Sequence, residues 1–461
     1  MIPFLENFLY FVSVFYIIYL VVYATFSFLA VALGAYRLYV GDRMNRFKNK
    51  VLHDDMPISI LVPAYNEDVT IIGSINSLLD LDYQLYEIII VDDGSKDDTA
   101  KKLINEFKMK PISRPVNRML PCKPVTAIYE STINGVNIAL ICKENGGKGD
   151  ALNMGINACR FPYFICMDAD SKLQQDSLKE IVQPVFEDDT TVAVGGMVLI
   201  SQCVRMKDGR AVSYTLPRSL LVCMQAVEYV RSFMASRILM DEYNGNLIIS
   251  GAFGLFKKST VVAAGGYSSD NLGEDMELVM KLHGYCRNND IKYRMRYRPE
   301  AVCMTQAPTK LRDLRGQRRR WHLGLFQSMR AHKRILLNKN FGLVSFFSYL
   351  YYLAYELLAP FVELFGILTI VLAAYFNLLH VGYMVVFFAI YSIFGGVLSL
   401  AAFSQHIYTQ KFKISGRDMF KAFIMCILEF AFFRYVLIVV RVMAFLRYKR
   451  NKGAWGKIER V

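Results

Sequence analysis

Ile58-Ser-Ile-Leu-Val62 runs without interruption into Pro63-Ala-Tyr-Asn-Glu67, and this stretch decides the fold. Its first half is a short apolar run rich in β-branched residues; its second half is a polar turn. Ile88-Ile-Ile-Val-Asp92 repeats the design and ends in Asp92-Asp-Gly-Ser95. Similar runs follow at Val136–Cys142, Tyr163–Met167 and Val192–Val194, and the second of these closes on Asp168-Ala-Asp170. Stretches of helical character, such as Val69–Leu79 and Ala100–Phe107, lie between them. Strands apolar on both faces and alternating with helices predict an α/β fold with a parallel sheet covered on both sides. Ligands of such folds bind beyond the carboxyl ends of the strands, and the polar clusters fall at those ends.

Outward from this domain the composition changes. Hydrophobic residues make up 54% of the 461-residue chain and charged residues only 20%. The apolar residues gather in long runs, which excludes a disordered or fibrous chain and argues against a purely soluble enzyme. No charge occurs between Glu6 and Arg37, a stretch longer than the roughly 20 residues that span a bilayer. Arg37, Arg43, Arg46, Lys48 and Lys50 follow at once. The positive-inside rule therefore predicts a retained transmembrane anchor over residues 1–37 with this flank in the cytoplasm.

Beyond about Asn340 hydrophobicity returns. Leu343–Phe376 and Tyr383–Phe403 are long enough to span, and the first carries Glu356 and Glu363 around Pro360. Carboxylates at membrane depth point to a lined cavity. Met419–Leu446 carries Arg434 and Arg441 on one helical face and leads into a basic tail over residues 447–461. The expectation is a segment that dips in, turns near Phe433 and returns partly along the interface with its arginines snorkelling, leaving the tail cytoplasmic. Nine cysteines without a CxxC pair read as reduced thiols, with neither a disulfide framework nor a zinc site.

Each polar cluster has a plain reading beside a chemical one. Asp168-Ala-Asp170 is a solvated turn or a pair of carboxylates aimed at one hard cation that also takes phosphate oxygens. Asp92-Asp-Gly-Ser95 is an ordinary turn or a place where Asp93 accepts from a nucleotide base. Asn145-Gly-Gly-Lys-Gly-Asp150 lacks the P-loop pattern, yet a Gly-rich turn opening a helix over Ala151–Ala158 suits an anion, and Lys148 adds charge. Gly273-Glu-Asp275 opens the helical run Met276–His283 as a capping group or as a general base at a cleft. Cations dominate from Lys310 to Lys339, with Asp313 the one acid. They form a membrane-surface helix, or Gln317-Arg-Arg-Arg-Trp321 supplies an arginine for a diphosphate and an aromatic platform for a sugar. No nucleic-acid reader motif accompanies them, so no nucleic-acid partner is expected.

In this order the motifs resemble those of the membrane-embedded family 2 glycosyltransferases, which include the processive synthases of cellulose, hyaluronan, chitin oligosaccharides and poly-N-acetylglucosamine. The resemblance covers Pro57 to Trp321. It implies a cytoplasmic GT-A domain over residues 51–307, whose sheet binds a nucleotide sugar, inserted between transmembrane helices. An interfacial basic helix with QxxRW over 308–340 and transmembrane or interfacial helices over 341–446 would follow. Tyr65, Asp92 and Asp93 would hold uridine, and Lys148, Asp168 and Arg320 would lie near the diphosphate. Asp170 would bind Mg²⁺ or Mn²⁺. Asp275, beside Glu274, would be the catalytic base, and Gln317 and Trp321 would meet the acceptor.

The implied activity is processive, inverting transfer from UDP-glucose or UDP-N-acetylglucosamine to a growing β-linked polysaccharide, extruded across the plasma membrane. Accessory secretion subunits or a homo-oligomer are compatible with it. The alternative is a non-processive enzyme adding one sugar to a lipid-linked acceptor. A transporter or scaffold with a dead transferase domain is opposed by Asp170, Asp275 and Arg320. Two departures stand out: Gly273 replaces the Thr of the family triplet, and Thr305-Gln306 stands where many relatives have Thr-Glu. Trp455-Gly-Lys-Ile-Glu-Arg460 resembles the short gating element of some relatives.

Overall fold

Twelve strands form the frame of the α/β domain in the computed structural model, which describes residues 2–48, 56–113, 115–207 and 209–446. They are β1 Ile58–Ala64, β2 Tyr86–Asp92, β3 Lys110–Pro111, β4 Val125–Ile133, β5 Val136–Lys143, β6 Tyr163–Cys166, β7 Lys172–Leu173, β8 Thr191–Ile200, β9 Val204–Lys207, β10 Arg210–Tyr214, β11 Gly254–Lys257 and β12 Arg294–Thr305. Strands β9 and β10 pair as a separate hairpin. The others form one sheet in the order β3-β4-β5-β2-β1-β6-β11-β8-β12-β7.

All five strands expected from the apolar runs are present, and the inner run β5-β2-β1-β6 is parallel throughout. The expected parallel sheet is extended at its flanks by antiparallel strands. Strand β4 is antiparallel to β5, β11 lies antiparallel between β6 and β8, and β7 is antiparallel to β12. These flanking strands do not read as apolar runs. Val125–Ile133 is only half-buried along most of its length. In β12, Met295 and Tyr297 point into the core, while Arg296 and Arg298 alternate with them and pair with Asp241 and Glu180.

The two-residue period of the strands builds two cores at once. Ile58, Ile60 and Val62 join Ile88 and Ile90 in one; Leu61 joins Ile89 and Val91 in the other. A one-residue slip would exchange every side chain between the two cores, so the register is strongly specified.

Among the described residues three helices are long and apolar enough to cross a membrane: Pro3–Val40 within the helix Ile2–Lys48, Val381–Thr409 and Gly416–Phe445. A fourth candidate is a bent pair, Val344–Leu357 and Ala359–Tyr375, which meet at 47°. The bend falls beside Pro360, which lacks an N–H and sits in the first turn of the second helix.

The expected turn near Phe433 does not form. The chain stays helical from Gly416 to Leu446, with a π-helical stretch over Glu429–Phe433. Arg434 does not snorkel either. Its guanidinium pairs with Glu363 and donates to the Tyr391 hydroxyl at 3.1 Å, so a protein partner replaces water. Both ends of this helix nevertheless lie against the α/β domain and its extensions. Near the start Asp418 accepts from the Leu216 amide at 3.1 Å, and Phe433 and Leu437 pack on Leu314 midway. Near the end Phe445 meets the rings of His322 and Phe326. The basic tail and Trp455 lie outside the described residues. All nine cysteines are free.

Candidate active site

The carboxyl ends of β1, β2 and β6 open onto a cavity of 1670 Å³. Of the residues expected to form the site, Tyr65, Asp93, Lys148, Asp168, Asp170, Glu274, Asp275, Gln317, Arg320 and Trp321 all line it; Asp92 does not. Burial pushes the Asp92 carboxyl upward, and it sits beneath the turn it closes, accepting from the Ser95 amide.

One side of the cavity is built from three turns tied together. Asn66 adopts φ 56°, its amide donates to Ser95 Oγ at 2.9 Å, and its Oδ1 accepts from the Lys96 amide at 2.8 Å. Asp93 accepts from Lys143 Nζ at 2.5 Å and from the amides of Gly146 and Gly147 at 3.0 and 2.7 Å. Lys143 is fully buried and also pairs with Asp150 at 2.6 Å. Breaking such a buried group by removing one partner typically costs about 3–5 kcal/mol. This Asp93–Lys143–Asp150 cluster shapes the Gly-rich turn. The following helix then opens at Lys148, not at Ala151. Lys148 therefore combines its own charge with the free amides of a helix N-terminus.

Across the strand ends, Lys148 Nζ contacts Asp168 Oδ1 at 2.6 Å and Glu274 Oε1 at 3.2 Å. Burial alone would depress this ammonium, but Asp168 and Glu274 hold it above its ordinary value. Burial, reinforced by the charge of Asp168, pushes the Asp170 carboxyl up to about 6. Burial also raises Glu274, against the pull of Lys148. Asp275 is held by its backbone surroundings: Oδ1 accepts from the Met276 amide at 2.8 Å and Oδ2 from the Gly251 amide at 3.2 Å. Gly251 carried no sequence signal. A Cβ there would stand 3.0 Å from Lys148 Nζ, so glycine lets this backbone approach both groups.

Among the described residues no group of three or more His, Cys, Asp or Glu is gathered as a protein-only metal site. Asp168 and Asp170 still fit a hard cation. Mg²⁺ is often held by one or two carboxylates and completes its shell with water and substrate phosphate.

Gln317, Arg320 and Trp321 project from the helix Leu311–Ala331. Arg318, in the same basic run, does not lie on a membrane-facing surface. It is buried, and both ends of its guanidinium meet Glu228, at 2.8 and 2.5 Å. This helix rests directly on the Glu274–Asp275 turn. A Cβ at Gly273 would lie 3.0 Å from the Gly324 backbone, and one at Gly324 would lie 2.5 Å from the Gly273 nitrogen. Leu272 N donates to Gln327 Oε1 at 2.9 Å alongside. Glycine on both sides, and above all Gly324, thus lets the acidic turn and the Trp321 helix come this close.

The cavity does not end at the strands. It continues among Tyr23, Tyr351, Tyr355 and Tyr391, where two ion pairs also line it, Arg231–Glu429 at 2.9 Å and Arg434–Glu363.

Residues 163–433, more than half of the chain, match the Glycosyl transferase family group 2, and residues 59–121 match the Glycosyl transferase family 2. Over 270 residues the chain is 32% identical to the poly-beta-1,6-N-acetyl-D-glucosamine synthase of Staphylococcus aureus (strain COL), covering 58% of this chain and 54% of that one. It is 30% identical, with the same coverage, to the protein of that name from Staphylococcus epidermidis. The chain thus spans about half the length of these relatives. Its fold is similar to that of the mannosyltransferase PcManGT from Pyrobaculum calidifontis, solved in complex with GDP-Man and Mn²⁺. The TM-score is 0.50 at 17% identity, over 84% of this chain and 99% of that one.

Proposed function

Because the chain belongs to the glycosyl transferase family group 2, we propose that this glycosyltransferase is a processive, inverting polysaccharide synthase that extrudes its product across the plasma membrane. The donor would be a UDP-sugar, UDP-N-acetylglucosamine or UDP-glucose. The observation that carries this reading is the single cavity, continuous from the acidic strand ends to tyrosines and ion pairs on the apolar helices. A one-sugar enzyme needs the first half of that cavity but not the second.

In this reading Tyr65 and Asp93 face the uridine, and Lys148 and Arg320 meet the diphosphate. Asp92 supports the turn from below, outside the contact it was expected to make. Asp168 and Asp170 would hold Mg²⁺ or Mn²⁺, which when bound neutralises charge on the diphosphate leaving group. Trp321 stacks under the terminal acceptor sugar, and Gln317 contacts the same acceptor. Asp275 takes the proton from the acceptor hydroxyl as that oxygen attacks C1 and UDP departs. Inversion needs this one base and no nucleophilic carboxylate. Glu274 keeps Lys148 turned toward Asp168.

The α/β domain lies in the cytoplasm, where UDP-sugars are found. In this reading the helix Gly416–Leu446, whose two ends both contact that side, would run along the interface and leave the tail cytoplasmic.

Purified protein incubated with a panel of UDP-sugars, with and without Mg²⁺ or Mn²⁺, tests the reading. The expected product is a polymer from one donor, cleaved by a β-specific glycosidase. Asp170→Ala should reduce turnover at least ~100-fold by removing support for the leaving group. A single sugar on a lipid acceptor would overturn processivity, and undiminished turnover without divalent cation would overturn the metal assignment.

A further inference from the structure

We propose that Arg318 and Glu228 form a positioning pair that fixes Trp321 in the attitude needed to receive the acceptor sugar. The proposal rests on the reading of Trp321 as the acceptor platform and adds the groups through which the platform is set. Arg318 stands three residues before Trp321, so the two share one face of their helix. Its guanidinium carbon lies 4.6 Å from the centroid of the indole ring, in cation–π contact. The cation is anchored: Nη1 donates to Glu228 Oε1 at 2.8 Å and Nη2 to Glu228 Oε2 at 2.5 Å. A guanidinium held at both ends of its fork cannot swing away from the ring. Tyr229, the next residue on the helix Leu220–Arg231, brings its own ring to 6.1 Å from the indole.

Two features separate this pair from an ordinary helix–helix ion pair. First, Trp321 keeps 40% of its surface exposed while Arg318 is 4% exposed. The indole is thus braced by a buried neighbour in the cavity wall while much of its own surface stays open. Second, both fork ends of Arg318 are taken by one carboxylate. Arg318 lines the same cavity, but this carboxylate, and not a ligand, fixes the plane of its guanidinium. A tryptophan with nothing against its inner face has alternative rotamers at its two side-chain torsions. Stacking against a fixed plane selects one of them before the sugar arrives, which is the kind of pre-organisation that transfer chemistry requires.

The chain has two tryptophans, so a Trp455→Phe background makes fluorescence report on Trp321 alone. In that background Glu228→Gln and Arg318→Lys should raise acrylamide quenching of Trp321 about twofold. In the activity assay both variants should raise the acceptor concentration needed for half-maximal elongation about tenfold and shorten the polymer. UDP-sugar hydrolysis without acceptor should stay within about twofold of the parent. The charge-swapped protein, Glu228→Arg with Arg318→Glu, restores an ion pair between the helices but takes the guanidinium off the indole. It should recover yield while polymer remains short; full recovery of polymer length would reduce the pair to a structural clasp and overturn the proposal.

Trp321→Ala is run beside them. If it makes normal polymer, the platform reading itself is wrong. If it loses polymer while Glu228→Gln and Arg318→Lys keep parental quenching and length, the platform stands and the positioning pair falls. Glu228→Gln combined with Trp321→Ala should be no worse than Trp321→Ala alone. An additive loss would place the effect of Glu228 elsewhere and overturn the proposal.

Discussion

The two ends of the cavity hold charge in opposite ways. At the strand ends four carboxylates, Asp168, Asp170, Glu274 and Asp275, share the wall with Lys148 and Arg320. Among the apolar helices, Glu363 is matched by Arg434 and Glu429 by Arg231. Crowded acids in a buried place disfavour their own ionisation, and the raised carboxyls of Asp170 and Glu274 register it. Such an end is completed by a ligand that brings positive charge, as a cation carried in with a diphosphate does. The other end, lined also by Glu356, Arg237 and Arg441, holds acids and bases in comparable number. Its carboxylates, guanidinium groups and tyrosine hydroxyls can trade hydrogen bonds with an uncharged chain of sugars. On the proposed function, the balance along one cavity would separate where a charged donor reacts from where a neutral product leaves.

The sharpest way to break this comparison is Asp275→Asn. The substitution keeps shape and should keep donor binding but removes the proposed base, and general-base catalysis typically contributes ~10²–10⁴-fold. UDP release in the presence of acceptor is the measurement. More than about a tenth of parental turnover would move the base elsewhere in the acidic end.

At the matched end Glu363→Gln should act on the product and not on the donor. Arg434 would be left without its counter-charge, which is costly in a partly buried place. Polymer yield should fall ~10-fold, with acceptor-free UDP-sugar hydrolysis unchanged and a lower Tm. Adding Arg434→Met should recover Tm, because the unmatched cation goes too. Equal losses of hydrolysis and polymer would erase the distinction between the ends.

The smallest expected effect sharpens the comparison from behind the acidic end. His283, on the helix that Glu274 and Asp275 open, is fully buried between the Tyr293 hydroxyl at 2.6 Å and the Asn246 carbonyl at 3.0 Å. Burial lowers its pKa to about 4, against about 6.5 in the unfolded chain. Between those values the unfolded state binds the extra proton, so this stability is complete above about pH 6.5 and is lost as pH falls toward 4. The Tm of the parent should drop over that window, and His283→Gln should flatten the slope. An unchanged slope would assign the acid sensitivity to another group.

How much was legible in the chain follows from distance along it. The strand-end motifs could be read because type and place coincide: an apolar run ends, and acids or glycines follow within a few residues. Asp92 obeyed the same pattern yet lies below the cavity, since alternate residues of a strand face opposite sides. Lys143 and Asp93 are 50 residues apart, Glu228 and Arg318 90 apart. Each is an unremarkable charge until the sheet and helices bring the partners together. Arg434 misled for the same reason. An arginine in an apolar helix reads as a group that must reach water, until Glu363, 71 residues earlier, supplies the counter-charge. The antiparallel flank of the sheet escaped because its outward charges interrupt the apolar pattern.

The contact between Gly273 and Gly324 has a consequence for exchange of parts. The acidic turn and the helix that carries Trp321 behave as mating pieces cut to one another. A side chain at position 324 drives a Cβ to 2.5 Å from the opposite backbone, and threonine at position 273 presses on it at 3.0 Å. Chimeras that replace one piece alone should lose the spacing between base and platform, and those that exchange both together should keep it. The spacing of this site is therefore set at a joint between two distant segments, where exchange of one piece is felt by the other.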